Sequence, residues 1–167
     1  MNALFRGFWS STMATSSMTL ALFEAFKKLP LEGKQPLPPA QLTESLVQKT
    51  GFTKNWSPEM QAEATMISHY GYGAAAGIAY ALIADKVPGN SLIKGGLFGL
   101  GVWAASYYGV IPSLKLSPSA DEMGRERNAM MALTHVVWGA SLGFAEHSLR
   151  KKGFKMLDGQ RHIGHLH

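Results

Sequence analysis

Four stretches of this chain, each just long enough to cross a bilayer as a helix, are almost free of charge. They cover residues 7–26, 64–84, 92–112 and 128–149 and hold three charged side chains, Glu24, Lys94 and Glu146. The other half of the 167 residues carries all the rest of the 16 Lys and Arg and 11 Asp and Glu. Roughly 20 apolar residues span the hydrocarbon layer, whereas a helix on a soluble core needs a charged outer face that these stretches lack. The mean hydropathy of -0.01 averages this segregation away. The expected fold is therefore all-α: a four-transmembrane-helix bundle over residues 1–153, then a basic, His-containing tail over 154–167. With no cysteine, disulfide scaffolds, thiolate metal sites and cysteine nucleophiles are excluded.

The boundaries fit that plan. Ser57-Pro58-Glu59 supplies a hydroxyl cap, a first-turn proline and a first-turn acid, so the second helix starts ahead of its apolar stretch. Ser119 and Glu122 have capping-box spacing and open the fourth helix. Gly153, behind Arg150-Lys151-Lys152, is expected to close it. Pro88-Gly89-Asn90 reads as a tight turn that makes the second and third helices antiparallel neighbours. Pro36-Leu37-Pro38-Pro39 reads as an extended spacer before a short amphipathic stretch, Gln41 to Lys49, suited to the membrane surface. The first stretch is rich in hydroxyls, from Ser10 to Thr19, which suggests a face packed on protein. Phe23 and Glu24 stand where a signal peptide would need small residues for cleavage. Lys and Arg divide evenly between the two sides. The crowding of Arg150, Lys151, Lys152 and Lys155 behind the fourth stretch places both termini in the cytoplasm.

The second and fourth stretches repeat each other. Ser68-His69-Tyr70-Gly71-Tyr72-Gly73-Ala74-Ala75-Ala76-Gly77-Ile78-Ala79 aligns without gaps on Thr134-His135-Val136-Val137-Trp138-Gly139-Ala140-Ser141-Leu142-Gly143-Phe144-Ala145. Leu4-x-Arg6-Gly7 and Leu92-x-Lys94-Gly95 echo each other more faintly. The pattern describes two tandem hairpins related by a pseudo-two-fold along the membrane normal. His69, Gly73 and Gly77 are four apart and share a helix face, as do His135, Gly139 and Gly143. With Gly95 and Gly99 they are the expected helix-packing positions, because glycines at that spacing let backbones approach closely. Both histidines then point at neighbouring helices, at one depth. Glu24, Ser106, Tyr107 and Tyr108 are expected in the same polar layer.

Ionisable groups inside a span are read as functional. Three readings stay open for this layer. The imidazoles lock helices together by hydrogen bonds. Alternatively, His69 and His135 ligate a haem, or hold a transition metal together with Glu24. In the third reading the same groups relay protons or bind a polar substrate. Trp9, Trp56, Trp103, Tyr107 and Tyr108 serve as interfacial anchors or packing aromatics. His162, His165 and His167 form a tail cluster better suited to solvent or a partner than to a metal. No phosphate loop, serine elbow, His-Glu-x-x-His helix or dinucleotide fingerprint occurs, which argues against an enzyme. The net charge of +5 comes without the basic-aromatic interleaving of a nucleic-acid face.

Three segments carry a family resemblance: Pro36-Leu37-Pro38-Pro39-Ala40-Gln41-Leu42-Thr43-Glu44, His69-Tyr70-Gly71-Tyr72-Gly73, and Arg127-Asn128 leading to Thr134-His135-Val136-Val137-Trp138-Gly139. They resemble the YagU-like bacterial inner-membrane proteins. That resemblance implies an integral protein of the bacterial cytoplasmic membrane and supplies no catalytic residues. Small size and abundant packing motifs lead to the expectation of a non-enzymatic accessory or assembly subunit of a larger membrane complex, respiratory or photosynthetic. Its partners would be the lipid bilayer and other membrane subunits. The alternative is a haem- or metal-binding, or proton-handling, membrane protein centred on the histidine pair.

Overall fold

The structure, a computed structural model, describes residues 2–28, 38–51, 57–116 and 124–158, and those residues are helical apart from short turns and caps. The order is α1 (Ala3–Lys27), α2 (Pro38–Thr50), α3 (Pro58–Ile83), α4 (Ser91–Ala104), a π turn (Ala105–Val110), α5 (Ile111–Ser113) and α6 (Arg125–Asp158). The caps explain the starts. The Asn2 side chain accepts from Phe5 N at 2.9 Å, and that of Asn90 accepts from Leu92 N at the same distance. Ser57 caps α3 with Pro58 in its first turn, as its sequence requires. The Ser57 hydroxyl bonds the Glu59 carboxylate and, with the Glu59 backbone N–H, holds that carboxyl below its usual range.

Two boundaries differ from expectation. Pro38 and Pro39 open α2 rather than end an extended spacer, since a proline's fixed φ suits the first helical turn. Gly153 does not end α6, which continues to Asp158; a helix absorbs one interior glycine at a cost of about 1 kcal/mol. Lys94 turns back to donate to the Ala84 and Val87 carbonyls at 2.9 and 2.6 Å. It thereby ties off the end of α3. The capping box at Ser119 and Glu122, the Trp56 anchor and the tail histidines lie outside the described residues.

Two glycine seams build the bundle. In the first, a Cβ on Gly77 would strike Ser11 and the Gly7 carbonyl, and one on Gly73 would strike the Thr15 hydroxyl, so α1 and α3 touch along this line. In the second, Gly95 and Gly139 lie backbone to backbone. Gly99 lies under the His135 carbonyl, and Gly143 against Ser91. The seams follow the sequence repeat, but with a different register for the first helices. Gly7 answers to Ser91 and Ser11 to Gly95, one turn away from the Gly7–Gly95 match that the sequence suggests. Because Ser11 and Thr15 replace glycines in the first seam, α4 and α6 approach more closely than α1 and α3.

The hairpins then join on one side only. α1 packs along α6, whereas α3 and α4 scarcely touch despite the short turn between them. That corrects the expectation of close neighbours. Gly89 gives the turn its positive φ of 118°, but each helix of the pair directs its glycine face to the other member of its own hairpin. Across the parting, contact is by side chains: the Tyr80 and Phe98 rings, 5.1 Å apart, and a 2.7 Å hydrogen bond between the Tyr72 and Ser106 hydroxyls.

Beside an apolar core that includes Met18, Leu22, Met131 and Leu142, many polar groups are buried and many large apolar ones exposed. Arg6, Ser10, Ser11, Thr15, Ser106, Arg127, Thr134, His135 and Glu146 are buried, while Phe5, Phe8, Trp9, Leu20, Phe23, Ile67, Ile93, Leu97, Leu133 and Phe144 stand on the surface. Among the described residues no helix is long and apolar enough to cross a membrane. The four apolar stretches do fall on α1, α3, the run from α4 through α5, and α6. Interior hydroxyls, glycines and histidines lower the hydropathy of the long helices. The π turn divides the α4–α5 run, so no single helix there spans its length.

The second seam sets a stability test. Gly95→Ala and Gly139→Ala force methyl groups onto facing backbone and should each cost about 1–3 kcal/mol in detergent unfolding monitored by circular dichroism. Gly101→Ala, which meets nothing within 4 Å, should cost nothing measurable.

Candidate functional site

A cavity of about 320 Å³ occupies the place where α3 and α4 part. Thr15 and Met18 of α1 and Met131, His135 and Trp138 of α6 form its back wall. Ser68, His69, Tyr72 and Gly73 of α3 face Val102, Ser106, Tyr107, Val110 and Ile111 across it. Leu42 and Thr43 of α2 border one end. α2 is held there by a 2.7 Å hydrogen bond between Thr43 and Ser68, and by Lys49 donating to the Leu114 carbonyl.

The π turn shapes the α4 side. Ile111 N bonds to the Ser106 carbonyl, five residues back, so the turn is one residue wider than α-helical. Pro112 follows directly. It has no N–H to give the preceding turn, and its ring would crowd an α-helical carbonyl four residues back; the widened turn accommodates it. Ser106 and Tyr107 are consequently both buried and both line the cavity, while Tyr108 turns outward to lie edge-on to Trp103 at 5.6 Å.

The two repeat-related histidines share this cavity. His135 is 9 % exposed, and its Nδ1 lies 2.8 Å from the Met131 carbonyl. A carbonyl only accepts, so Nδ1 carries the proton and Nε2 keeps a lone pair. The Tyr107 ring stands edge-on to His135 at 6.0 Å. His69, across the cavity, is less buried and lies edge-on to Tyr70 at 6.1 Å. The repeat-related aromatics Tyr72 and Trp138 each reach a hydroxyl on the other hairpin: Tyr72 that of Ser106, and Trp138 Nε1 that of Thr15 at 3.2 Å.

Glu24 is not in the layer. It is exposed on α1 and pairs with Lys27 at 2.6 Å. Met18 and Leu22 set the inward face of that helix, and a residue two positions beyond Leu22 lies about 200° around it, on the outside. The expected carboxylate for a metal is thus absent from the histidines. Among the described residues no group of three His, Asp or Glu converges in a way that could hold an ion.

Among the described residues the deepest acid is Glu146, only 1 % exposed. Arg6 Nε donates to its Oε1 at 2.9 Å and a second Arg6 nitrogen reaches Asp85 at 3.4 Å, while Arg150 also pairs with Asp85. This cluster ties the start of α1, the turn after α3 and the end of α6, at the opposite end of the bundle from the cavity. Sequence reading missed it, although the signal was there. Arg6 opens the first apolar stretch and Glu146 closes the fourth, so an even number of antiparallel helical passes brings opposite charges to one end.

Removing the nearer carboxylate with Glu146→Ala should cost about 3–5 kcal/mol, as expected for breaking a buried pair. Glu24→Ala, at an exposed pair, should cost less than about 1 kcal/mol. Unfolding of the two variants in detergent, side by side, measures the contrast.

Among known proteins, nothing in the curated set and no solved structure matches this chain. A family model described as a protein of unknown function, DUF1440, matches residues 24–144. That stretch contains both histidines, the π turn and the second glycine seam, and it is well over half of the chain, which therefore belongs to the DUF1440 family.

Proposed function

We propose that this protein is embedded in the bacterial cytoplasmic membrane as a bundle of four spanning helices, with both termini in the cytoplasm, and that it binds a small lipophilic molecule in the histidine cavity. The membrane reading is supported by the apolar surface. Large apolar side chains stand on the outside of the bundle, while hydroxyls and an ion pair are buried beside its apolar core, an arrangement favourable in lipid and costly in water. The resemblance to YagU-like proteins points the same way.

One observation carries the binding reading: two repeat-related histidines line a single cavity at the unsealed side of the bundle. A histidine pair present only to lock helices would be expected in a closed seam, where both rings find partners. Here most of the cavity wall is apolar and its polar groups are few, the composition typical of a small-molecule site. The parting between α3 and α4 gives a lipophilic molecule a lateral way in from the bilayer.

The test is purification in mild detergent followed by native mass spectrometry. The full chain should remain with membranes through alkaline carbonate washing. It should then release a bound small molecule on denaturation, and Val102→Trp, which fills the cavity, should abolish that adduct. A protein removed by carbonate overturns the membrane reading. A membrane-held protein that carries no small molecule and elutes in fixed ratio with larger subunits overturns the binding reading in favour of an accessory subunit. A Soret band lost in both His69→Ala and His135→Ala would identify the occupant as haem.

A further inference from the structure

The polar atoms of the cavity divide into those with a partner and those without. Tyr72 and Ser106 bond each other, and Ser106 also donates to the Val102 carbonyl at 2.7 Å. Thr43 and Ser68 bond each other, Ser68 also reaches the Ala64 carbonyl, and Thr15 receives Trp138 Nε1. Among the described residues no partner is found for the Tyr107 hydroxyl, for either ring nitrogen of His69, or for His135 Nε2. Tyr107 is 3 % exposed and His135 9 %, and both line the cavity, onto which their remaining accessible surface opens. Buried polar groups are rarely left unmatched.

Their chemistry specifies a complement. His135 Nε2 offers a lone pair, because Nδ1 is committed to Met131. It therefore needs a donor. The Tyr107 hydroxyl, on a ring 6.0 Å from that of His135, can donate. A ligand carbonyl would satisfy Tyr107 and leave Nε2 unmatched, and a ligand cation would be desolvated here without a carboxylate. A single hydroxyl does both tasks, donating to Nε2 and accepting from Tyr107. A phenolic hydroxyl is the better donor, and its ring suits the aromatic side chains of Tyr72 and Trp138, which also line the cavity.

We infer that the cavity selects lipophilic molecules with a phenolic hydroxyl, of alkylphenol or quinol type, held between His135 Nε2 and the Tyr107 hydroxyl. This rests on the binding function proposed above and adds the class of ligand. It involves binding only, with no bond made or broken.

The decisive comparison uses the full-length protein in detergent with 4-octylphenol and its O-methyl ether, which differ in the donor hydrogen. Affinities are read by quenching of tryptophan fluorescence, with Val102→Trp assayed by direct binding of the radiolabelled phenol and ether. The phenol should bind about tenfold more tightly than the ether, the worth of one buried hydrogen bond. The preference should vanish in His135→Phe, which removes the acceptor, and persist in Tyr107→Phe, which removes a donor both ligands use and so should weaken both alike; both variants should still bind the ether. An octylhydroquinone that binds more tightly than the phenol, by a margin lost in His69→Phe, assigns the natural ligand to the quinols; equal affinities assign it to monophenols. Phenol and ether bound equally, and both excluded by Val102→Trp, would overturn the hydroxyl selection and leave the cavity as a site for apolar molecules. Neither bound would overturn both proposals.

Discussion

Close approach through glycine is the constraint on which the rest depends. Where Gly95 and Gly139 meet, and where Gly99 lies beneath the His135 carbonyl, no side chain fits between the helices. The α4–α6 pair is therefore fixed in register, and with it the position of His135. The first hairpin uses the same device with Ser11 and Thr15 interposed. Two helices can each direct only one narrow face to a partner this way. Once α3 has committed its glycines to α1, and α4 its glycines to α6, the side between α3 and α4 has nothing to close it. The cavity is a consequence of how the seams are distributed.

The polar groups divide between two ends of the bundle. At one end Arg6, Glu146, Asp85 and Arg150 form a cluster whose formal charges balance, joining α1, α6 and the turn between the hairpins. Breaking such a pair is costly because the remaining partner stays buried. At the other end lie the imidazoles, hydroxyls and aromatic rings around the cavity, with the buried Arg127 guanidinium near Tyr107. Charge neutralised in place makes the first end a clamp. The second end has hydrogen-bonding capacity left over, and that distinguishes a site from a strut. The π turn contributes directly, since the extra residue in that turn brings both Ser106 and Tyr107 to the inside.

Much of this could be read in the amino-acid order. The gapless match between residues 68–79 and 134–145, with histidine and glycines four apart, requires two helices that present the same face, whatever surrounds them. The helix starts at Asn2, Ser57 and Asn90 follow from side chains that cap the backbone locally. Glu24 lies outside the layer for a reason of phase: its distance along the helix fits, but two residues past Leu22 is enough to turn a side chain outward. The Arg6–Glu146 pair is legible as opposite charges that an even number of antiparallel helical passes brings to one end.

Sequence alone thus determined the helical class, the repeat, the glycine faces and the pairing of histidines by depth, because each is a matter of local geometry and periodicity along one helix. Tertiary structure decided which of two equivalent sides would close. The short Pro88-Gly89-Asn90 turn favours contact between α3 and α4, but backbone packing at the glycine seams is stronger than a connection that merely keeps two helix ends near each other. That competition between non-local contacts opens the cavity, leaves His135 Nε2 and the Tyr107 hydroxyl facing it without partners, and has no trace in any single stretch of residues.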